Sequence, residues 1–499
     1  MRKISWKAAG VMAAAAIMLA GCGSSGNTQQ EGTTQESAVV QDGSEAVEEG
    51  TDVETAENAG KSEDVSAENA ENDENDKDAE KSVGGGETSM EKTSMEKEWK
   101  VSEHPFLKAD GKVLRDNAGA GAVVQLKGTN AGGYLFQEFW MTVTRVSGSV
   151  GDETGLYAKL EERFGEEERE NLVNLYQEHY FTEDDFDYCA ELGMNCIRLP
   201  FWYRNLVNSD GQLKENWNER FDWFVEQASK RGLYVILDFH GAPGSQNGSD
   251  HSGKDGGDNK MAASQFFFGG NAAANQELYY QLWETIAEHY KDNPWVAGYD
   301  LLNEPFCTYR YNTPVSDDEL HEHLWDIYDI AYDRIRAIDP DHVIIMEATW
   351  DPVDLPDPAQ YEWENVMYEY HNYLYDDYNN ENGQQIKNMK NKLDAIKIAN
   401  YNVPSYLGEF AYFNNLEAWD EGMELINNTG ISWTTWTYKV IESYGNWGIR
   451  NQKDLNVNVD LMDYDELVEK WGSVDQSKEN TGLRNVLEKY YKQAYINAE

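Results

Sequence analysis

Two glutamates in the sequence are placed to act as a catalytic pair. Glu304 follows a short apolar run that predicts a buried strand, and Glu409 ends another predicted strand. Two carboxyl groups on either side of an acetal can hydrolyse it, since one protonates the leaving oxygen and the other attacks the sugar carbon or activates water. Pro305 disfavours the helical region for the preceding residue, so we expect an extended Glu304 that points off the strand tip. A structural ion pair is the alternative role for such an acid.

Other predicted strands also end in polar or ionisable residues. Any one of them has a structural explanation, such as a buried ion pair for an arginine or a hydrogen-bonded core position for a histidine. Together they are hard to explain in that way, because each buried polar group costs free energy unless it is paired. We therefore expect these strand ends to meet around one site. The residues are Asn130, Arg198, His240, Asn303, Glu347, His371, Tyr373 and Trp436.

Two of these residues suit the chemistry of the glutamate pair. Arg198 near Glu409 would keep that carboxylate ionised, and Asn303 beside Glu304 could hold a sugar 2-hydroxyl. The same acids could instead bind a divalent metal, as in a metal-dependent hydrolase, but Arg198 would compete with a cation. The cysteine spacing matches neither a zinc site nor a disulfide framework, so we predict no metal and no cofactor. We expect buried apolar positions for the remaining cysteines, which are Cys189, Cys196 and Cys307.

Strand-like and helix-like segments alternate from residue 122 to the end of the sequence. The alternation requires parallel strands covered by helices, and eight such units fit an α/β fold of the (β/α)8 or TIM barrel type. An open doubly wound sheet is the competing architecture, but the glycines at 128–133 lack the spacing and following helix of a phosphate-binding turn. The predicted strands cover 122–128, 194–200, 234–239, 295–303, 342–347, 365–371, 404–409 and 431–436. The main predicted helices cover 217–231, 276–291, 317–338, 384–399, 416–428 and 482–497.

Further elements are predicted before the second barrel strand. Residues 107–114 predict a hairpin whose turn lies at 110–111. An amphipathic stretch over 155–180 predicts a helical insert beside the rim of the barrel. A helix is expected to begin after Thr182, with Asp185 in position to complete the cap.

The first 22 residues have the layout of a secretory signal. Three basic residues precede an apolar run over 8–20, which is too short to span a bilayer. The sequence LAGC at 19–22 resembles the lipobox of bacterial lipoproteins, which implies that Cys22 carries a lipid and anchors the chain to the cell membrane. An ordinary signal peptide with a chance cysteine is the alternative.

Residues 23–98 contain no aromatic residue and are rich in Glu, Ser, Thr, Gly and Asn. Such a segment cannot bury enough apolar surface to offset the entropy of ordering, so we predict a disordered acidic tether. The catalytic domain would then cover 99–499. Residues 101–499 carry a net charge of −37, which disfavours nucleic acids and anionic polymers as ligands. A neutral ligand is favoured.

Aromatic residues indicate a carbohydrate as that ligand. The chain has 16 tryptophans and 30 tyrosines, and their flat apolar faces suit the CH-rich faces of pyranose rings. Filling the core of the barrel is the alternative role, which we expect for Trp433 inside a predicted strand. The aromatic residues near predicted strand ends are Tyr134, Trp140, Trp202, Tyr203, Trp350, Tyr373, Trp433, Trp436, Tyr438 and Trp447.

Four motifs resemble those of glycoside hydrolase family 5, the retaining cellulase-type barrels. They are LNEP at 302–305, LGEF at 407–410, IRLP at 197–200 and HNY at 371–373. Two longer blocks resemble the exo-β-1,3-glucanase branch of that family, and they cover 128–138 and 240–250. The likeness extends over residues 121–449.

The resemblance implies a role for each matching residue. Glu304 would be the acid/base and Glu409 the nucleophile. Glu138 and Asp250 would hold the terminal glucose and close the cleft into a pocket. The residues that would line the sugar subsite are Arg198, His240, Asn303, His371, Tyr373 and Trp436.

Three residues depart from the pattern of the exo-β-1,3-glucanase branch. Ser249 stands in place of an aromatic residue, His251 in place of an asparagine and Tyr438 in place of a tryptophan. These departures leave the linkage specificity open.

The sequence as a whole predicts a retaining β-glucan hydrolase of the exo-β-1,3-glucanase or β-glucosidase type. It would be a lipid-anchored monomer at the bacterial cell surface that acts on extracellular β-glucan polysaccharide or oligosaccharides. Because Glu304 must be protonated and Glu409 ionised, activity should show a bell-shaped pH profile on the acidic side of neutral. The alternatives are an endo-β-1,4-glucanase of the same family and a non-catalytic carbohydrate-binding lipoprotein.

Overall fold

The structure is a computed structural model that describes residues 101–103, 105–257, 259–305 and 316–495. The predicted signal peptide with Cys22, the predicted tether and Cys307 lie outside these ranges. Within the described ranges, no helix combines the length and the apolar composition needed to cross a bilayer.

A small antiparallel sheet precedes the barrel. The predicted hairpin is present, and Gly111 in its turn has a φ of +57°, a left-handed conformation that glycine adopts at little cost. Leu107 and Leu114 belong to the same buried cluster as Cys196 and Val343, which begin two barrel strands, so this sheet covers the N-terminal end of the barrel. Its strands, in spatial order, are β1 (Lys108–Asp110), β2 (Val113–Arg115) and β3 (Val123–Val124).

Eight parallel strands close into a barrel, as the alternation of elements predicts. The strands are β4 (Lys127–Asn130), β5 (Cys196–Trp202), β6 (Tyr234–Gly241), β7 (Val296–Asp300), β8 (Val343–Glu347), β9 (Val366–Asn372), β10 (Ser405–Phe410) and β11 (Ser432–Thr435). Each strand pairs with the next one along the chain, and β11 pairs with β4 to complete the ring. The predicted strand over 122–128 is divided between β3 and β4.

Helices connect the barrel strands and bury their apolar sides against the barrel. In the described ranges, the helices up to the seventh barrel strand are α1 (Glu153–Phe164), α2 (Glu166–Tyr180), α3 (Glu183–Leu192), α4 (Tyr203–Leu206), α5 (Glu219–Ser229), α6 (Lys260–Ala263), α7 (Ala272–Tyr290), α8 (Asp317–Arg336) and α9 (Gln384–Ala399). They are followed by α10 (Leu416–Asn427), α11 (Tyr464–Trp471) and α12 (Thr481–Tyr491). Short 3-10 helices cover Asn117–Gly119, Asp250–Ser252, Pro352–Asp354, Pro358–Gln360, Tyr375–Asp377 and Glu442–Trp447.

The helical insert is two helices rather than one. Helices α1 and α2 meet at Gly165, which has a φ of +90°. Residues with a side chain rarely adopt this conformation, whereas glycine does so at little cost. At the start of α1, Thr154 donates from both its N–H and its hydroxyl to the carbonyl of Gly253. The insert therefore holds the loop that follows β6. After α2, the N–H of Thr182 donates to the carboxylate of Asp185 at 2.8 Å, which forms the predicted cap of α3.

A second small sheet follows the last barrel strand, and the last helix packs against the outside of the barrel. The sheet contains β12 (Lys439–Ile441), β13 (Arg450–Gln452) and β14 (Ser477–Glu479). The ring of Tyr491 in α12 stacks on Trp433 with a centroid distance of 5.0 Å, and Lys127 donates to the carbonyl of Tyr490. Trp433 is fully buried, as predicted for a core residue, and so are the predicted core cysteines Cys189 and Cys196.

Candidate active site

A cavity of about 1150 Å³ opens at the C-terminal ends of the barrel strands. Its wall includes nine of the ten residues that the sequence predicts for catalysis and substrate binding. These nine are Glu138, His240, Asp250, Asn303, Glu304, His371, Tyr373, Glu409 and Trp436. The tenth, Arg198, has no exposed surface and lies beneath the cavity rather than on its wall. It reaches the substrate only through the residues that it contacts.

Glu304 and Glu409 face each other across the cavity. One carboxylate oxygen of each lies within 4.8 Å of the other. His371 stands between them, with Nδ1 at 3.1 Å from Glu304 Oε1 and at 3.5 Å from Glu409 Oε2. Carboxyl groups in retaining glycosidases are about 5–5.5 Å apart, whereas those of inverting enzymes are about 6.5–9.5 Å apart. A closest approach of at most 4.8 Å is too short for the inverting arrangement and fits the retaining one.

Both oxygens of Glu409 accept hydrogen bonds from fixed donors. Arg198 Nη1 donates to Oε1 at 2.9 Å, and the hydroxyl of Tyr373 donates to Oε2, also at 2.9 Å. Arg198 Nη2 donates in turn to Oδ1 of Asn303 at 3.0 Å. One buried guanidinium thus orients a carboxylate and the amide beside the second carboxylate. This is the arrangement that a carboxylate nucleophile needs, because its attack direction is set before substrate arrives.

The backbone of Glu304 differs from the prediction. Strand β7 ends at Asp300, and Glu304 has a φ of +39°, in the left-handed region rather than the extended one. Two side chains hold this conformation: the N–H of Glu304 donates to Glu347 Oε2 at 2.7 Å, and its carbonyl accepts from Asn247 Nδ2 at 3.0 Å. The restriction imposed by Pro305 is overridden by these tertiary contacts. A strained residue of this kind is frequent in catalytic sites.

Two histidines contact the carboxylate of Glu304 from opposite sides. His251 Nε2 lies 3.0 Å from Oε2, and His371 Nδ1 lies 3.1 Å from Oε1. Burial raises the pKa of Glu304, but the hydrogen bonds and charges of His251 and His371 outweigh burial and hold that pKa well below its ordinary value. Burial likewise lowers the pKa of His251, but Glu304 and Asp250 raise it to about 9.

The far wall of the cavity offers hydrogen-bonding groups for a sugar. Burial raises the pKa of Glu138 to about 8, and Trp140 Nε1 donates to its Oε2 at 2.7 Å. His240 stacks on Trp436 with a centroid distance of 5.4 Å, and its Nδ1 lies 2.8 Å from Asp238 Oδ2. Burial lowers the pKa of His240 well below its ordinary value, so the ring is neutral. With the proton on Nδ1, Nε2 can accept from a sugar hydroxyl.

Buried acids under the cavity were missed by the sequence analysis. Arg198 lies 2.9 Å from Asp238 Oδ2, 2.8 Å from Asp300 Oδ2 and 3.4 Å from Glu369 Oε1. Burial raises the pKa of Asp238 and Glu369 well above the ordinary value, despite the charge of Arg198. A sequence signal existed, because Asp238 and Glu369 each lie two residues before a histidine of the site, and such residues share one face of a strand.

Among the residues that the structure describes, two clusters of carboxylate and histidine ligand atoms in the site are close enough to surround an ion. One is formed by Glu304, His371 and Glu409, and the other by Glu347, Glu369 and His371. Arg198 contacts a carboxylate of each cluster, at 2.9 Å from Glu409 and 3.4 Å from Glu369. Its fixed positive charge repels a cation, so the clusters suit acid–base chemistry better than metal binding.

Aromatic rings form the outer walls of the cavity. The ring of Trp140 lies 5.1 Å from Tyr444 and 4.9 Å from Trp447 in edge-on contacts. Tyr375 is 63% exposed at the mouth. Five of the ten aromatic residues named from the sequence line the cavity, namely Trp140, Trp350, Tyr373, Trp436 and Trp447. Three that were missed also line it, namely Tyr375, Tyr378 and Tyr444.

The three departures from the exo-β-1,3-glucanase pattern occupy different places. Ser249 is buried in the loop after β6, and its N–H donates to Asn247 Oδ1. Tyr438 is buried, and its hydroxyl donates to Asp185 of α3 at 2.7 Å. His251 alone of the three lies on the wall of the cavity, in contact with Glu304.

The eight-stranded barrel with two facing glutamates at its C-terminal rim defines a glycoside hydrolase. The model of the family Cellulase (glycosyl hydrolase family 5) matches residues 162–440, more than half of the chain. The chain belongs to this family.

Curated relatives carry glycosidase names. A beta-xylosidase of Phanerodontia chrysosporium is 29% identical over 68% of this chain and 72% of its own length. A glucan 1,3-beta-glucosidase of Pichia angusta is 28% identical over 51% of this chain and 56% of its own length. The chain thus spans little more than half of the glucan 1,3-beta-glucosidase that it matches.

Solved structures share the fold at low sequence identity. A crystal structure of an endogalactoceramidase has a TM-score of 0.52 with 16% identity, covering 77% of this chain and 84% of that chain. The endo-glycoceramidase II of Rhodococcus sp. has a TM-score of 0.50 with 18% identity, covering 73% and 81% of the two chains. These similarities support the barrel architecture.

Proposed function

We propose that the protein is a retaining β-glucan hydrolase that works by double displacement. The observation that carries the proposal is the pair of carboxylates within 4.8 Å of each other, one of which is held by Arg198 and Tyr373. Glu409 is the nucleophile in this proposal, and Glu304 is the acid and then the base.

In the first step, Glu304 donates a proton to the glycosidic oxygen while that oxygen leaves the anomeric carbon. Glu409 forms a bond to the same carbon from the opposite face of the ring. Asn303 lies beside Glu304 and is oriented by Arg198, so its amide is placed to bind the sugar 2-hydroxyl, a contact that strengthens in the transition state.

In the second step, a water molecule replaces the leaving group. Glu304 now takes a proton from that water, and the oxygen attacks the anomeric carbon and breaks the bond to Glu409. Both carboxyl groups return to their starting states. Two inversions give net retention of the β configuration.

The wall residues favour a glucan as substrate. Glu138, His240 and Asp250 line one part of the cavity with polar groups, and the resemblance assigns Glu138 and Asp250 to a terminal glucose. Small-molecule sites are about 300–1,000 Å³ in volume. At about 1150 Å³ the cavity has room for more than one sugar unit. The volume allows an oligosaccharide to bind, and the resemblance of residues 128–138 and 240–250 to the exo-β-1,3-glucanase branch favours exo-acting cleavage of a β-1,3-glucan or of its oligosaccharides.

A product profile tests the substrate proposal. We expect glucose, with the β anomer formed first, to be released from laminari-oligosaccharides faster than from cello-oligosaccharides, as followed by chromatography and proton NMR. Release of internal fragments from cello-oligosaccharides would favour an endo-β-1,4-glucanase instead, and preferential cleavage of xylobiose would favour a β-xylosidase. First formation of the α anomer would contradict double displacement.

We also propose that the mature chain is a lipid-anchored monomer outside the cytoplasm. The support for the anchor is the LAGC sequence at 19–22 and the acidic segment that follows it. Replacing Cys22 by serine is expected to move the enzyme from the membrane fraction to the medium, because the acyl chains that hold it are lost. Fractionation of cells, together with incorporation of labelled fatty acid, measures the change. A serine variant that stayed in the membrane fraction would contradict the anchor.

A further inference from the structure

His251 contacts the acid/base Glu304 and has no role in the glycosidase mechanism above. Its Nε2 lies 3.0 Å from Glu304 Oε2, and its side chain is 17% exposed. The opposite oxygen of Glu304 faces His371. A titratable ring this close to an acid must either share its proton or compete for it.

The orientation of Asn247 bears on where that proton lies. Its Oδ1 accepts from the N–H of Ser249 at 3.0 Å, and its Nδ2 donates to the carbonyl of Glu304 at 3.0 Å, so the two ends of the amide are distinguishable. The same Nδ2 lies 2.8 Å from Nε2 of His251. A donor facing the ring nitrogen is best satisfied by a lone pair there. Asn247 therefore favours the arrangement with the proton on Glu304.

The opposite arrangement is favoured by charge. A proton on Nε2 makes a cation that donates to a Glu304 carboxylate, which is the stronger kind of hydrogen bond. The 3.0 Å distance between His251 Nε2 and Glu304 Oε2 is a hydrogen-bond distance in either arrangement. Transfer of the proton from one atom to the other therefore requires no movement of heavy atoms. The amide of Asn247 and the ion pair thus act in opposite directions on one proton.

The loop of His251 is fixed from the side of the insert. Thr154 donates twice to the carbonyl of Gly253, and Asp152 Oδ2 accepts from the N–H of Asp255 at 2.7 Å. Gly253 has a φ of +92°, and an added Cβ there would lie 2.4 Å from Trp202 Nε1. The chain therefore positions the ring against Glu304 by contacts remote from the cleavage chemistry.

We propose that His251 and Glu304 form a dyad that shares a single proton, in which His251 is a positioning residue that keeps this proton available to the acid. The inference rests on the proposed role of Glu304. Loss of the shared proton from the dyad, rather than from Glu304 alone, then sets the alkaline limb of the pH profile.

The carboxylates around the dyad favour retention of its last proton. Glu304 raises the pKa of His251 to about 9 against the effect of burial, so the pair becomes fully deprotonated only in alkaline solution. The groups that face His251, besides Glu304, are Asp250, Glu138, His240 and Asp255. The groups that face Glu304, besides His251, are His371, Glu347, Asp238, His240 and Tyr373.

The dyad loses one proton and regains one proton in each turnover. Glu304 gives the shared proton to the leaving oxygen as the glycosidic bond breaks, which leaves a carboxylate beside a neutral His251. The attacking water then returns a proton to the dyad as its oxygen bonds to the anomeric carbon. The dyad therefore predicts activity that extends beyond the acidic range expected from the sequence. The alkaline decline of kcat/KM should lie near pH 9, the value to which the pKa of His251 is raised.

The test compares the unmodified enzyme with His251→Gln and His251→Asn. Both amides are neutral at all working pH values, and glutamine can still donate to Glu304 from near the position of Nε2. With laminaribiose as substrate, we expect the alkaline limb of kcat/KM to move down by about one pH unit or more in both variants. At about pH 5 the loss should be less than about tenfold. A purely structural role would lower kcat/KM equally at every pH.

A second substrate separates this inference from the proposed function. For 2,4-dinitrophenyl β-glucoside the leaving group departs without a proton, so its alkaline limb should be the same in all three proteins. Activity of all three with unchanged alkaline limbs on laminaribiose would overturn the dyad and leave the glycosidase assignment intact. An alkaline limb below about pH 7 in the unmodified enzyme would also overturn the dyad. Absence of hydrolysis of both substrates by the unmodified enzyme would instead remove the proposed function.

Discussion

Replacement of Glu409 by glutamine is expected to lower kcat on laminari-oligosaccharides by about 10⁴-fold or more, because the covalent route is lost. The amide keeps an oxygen for Arg198, so the buried guanidinium retains this partner along with Asp238 and Asp300. Binding of the glucan should therefore persist. Steady-state kinetics and calorimetric titration measure the two quantities separately.

The exposed residue Glu417 on α10 provides a matched control. The Glu417→Gln variant removes the same charge away from the cavity, and its kcat should equal that of the unmodified protein. Full turnover in Glu409→Gln would contradict the assignment of Glu409 as the nucleophile. Glucan binding without turnover in the unmodified protein, kept in Glu409→Gln, would identify a carbohydrate-binding protein instead.

Replacement of Glu304 by alanine should have an effect that depends on the leaving group. General acid catalysis contributes about 10²–10⁴-fold, so kcat/KM on laminaribiose should fall by roughly that factor. With 2,4-dinitrophenyl β-glucoside, kcat/KM should change little, because the phenolate needs no proton. Turnover of that substrate should then be limited by hydrolysis of the glycosyl enzyme, and added azide should accelerate it by occupying the space of the missing carboxylate.

The comparison of substrates decides the role of Glu304. An equal loss on both substrates would show that Glu304 acts before bond cleavage in some other way, for example by shaping the binding site. A β-glucosyl azide product would show that azide attacks a glycosyl enzyme from the face that Glu304 occupies. An α-glucosyl azide would contradict the assignment of the two carboxyl groups.

The periodicity of the sequence was sufficient to predict the barrel. Parallel strands must be buried on both faces, so their apolar runs and the amphipathic helices between them are visible without tertiary information. The helix over Gln384–Ala399 has the predicted bounds. The errors lie at the ends of elements: the last helix stops at Tyr491 rather than at residue 497, and β7 stops at Asp300 rather than at residue 303. Strand pairing there depends on neighbours that local patterns do not specify.

The conformation of Glu304 could not be predicted from local rules. The rule for residues before proline indicates extended backbone, but Glu347 and Asn247 hold the peptide groups of Glu304 at a positive φ. These partners come from positions 43 and 57 residues away along the chain. A contact of that range is set by the closed barrel and by the loop after β6, so it becomes visible only in three dimensions.

The burial of Arg198 and the contact of His251 with Glu304 could not be predicted from the sequence for the same reason: both depend on the tertiary fold. Because Arg198 lies near the end of a predicted strand, we expected it on the wall of the cavity. Its side chain instead points into the barrel, where it contacts Asp238, Asp300 and Glu369. His251 drew attention only as a departure from a motif, and its contact with Glu304 depends on the fold of a loop held by the insert. The predictions for residues 1–98 concern a part of the chain outside the described ranges.

Trapping of the glycosyl enzyme is the most direct measurement of the central claim. A 2-deoxy-2-fluoro-β-glucoside with a dinitrophenolate leaving group should form a covalent adduct slowly and hydrolyse even more slowly, because the fluorine destabilises both transition states. Mass spectrometry of peptides should place the added fluoroglucosyl group on Glu409. A label on any other residue, or inactivation without a covalent adduct, would contradict the account.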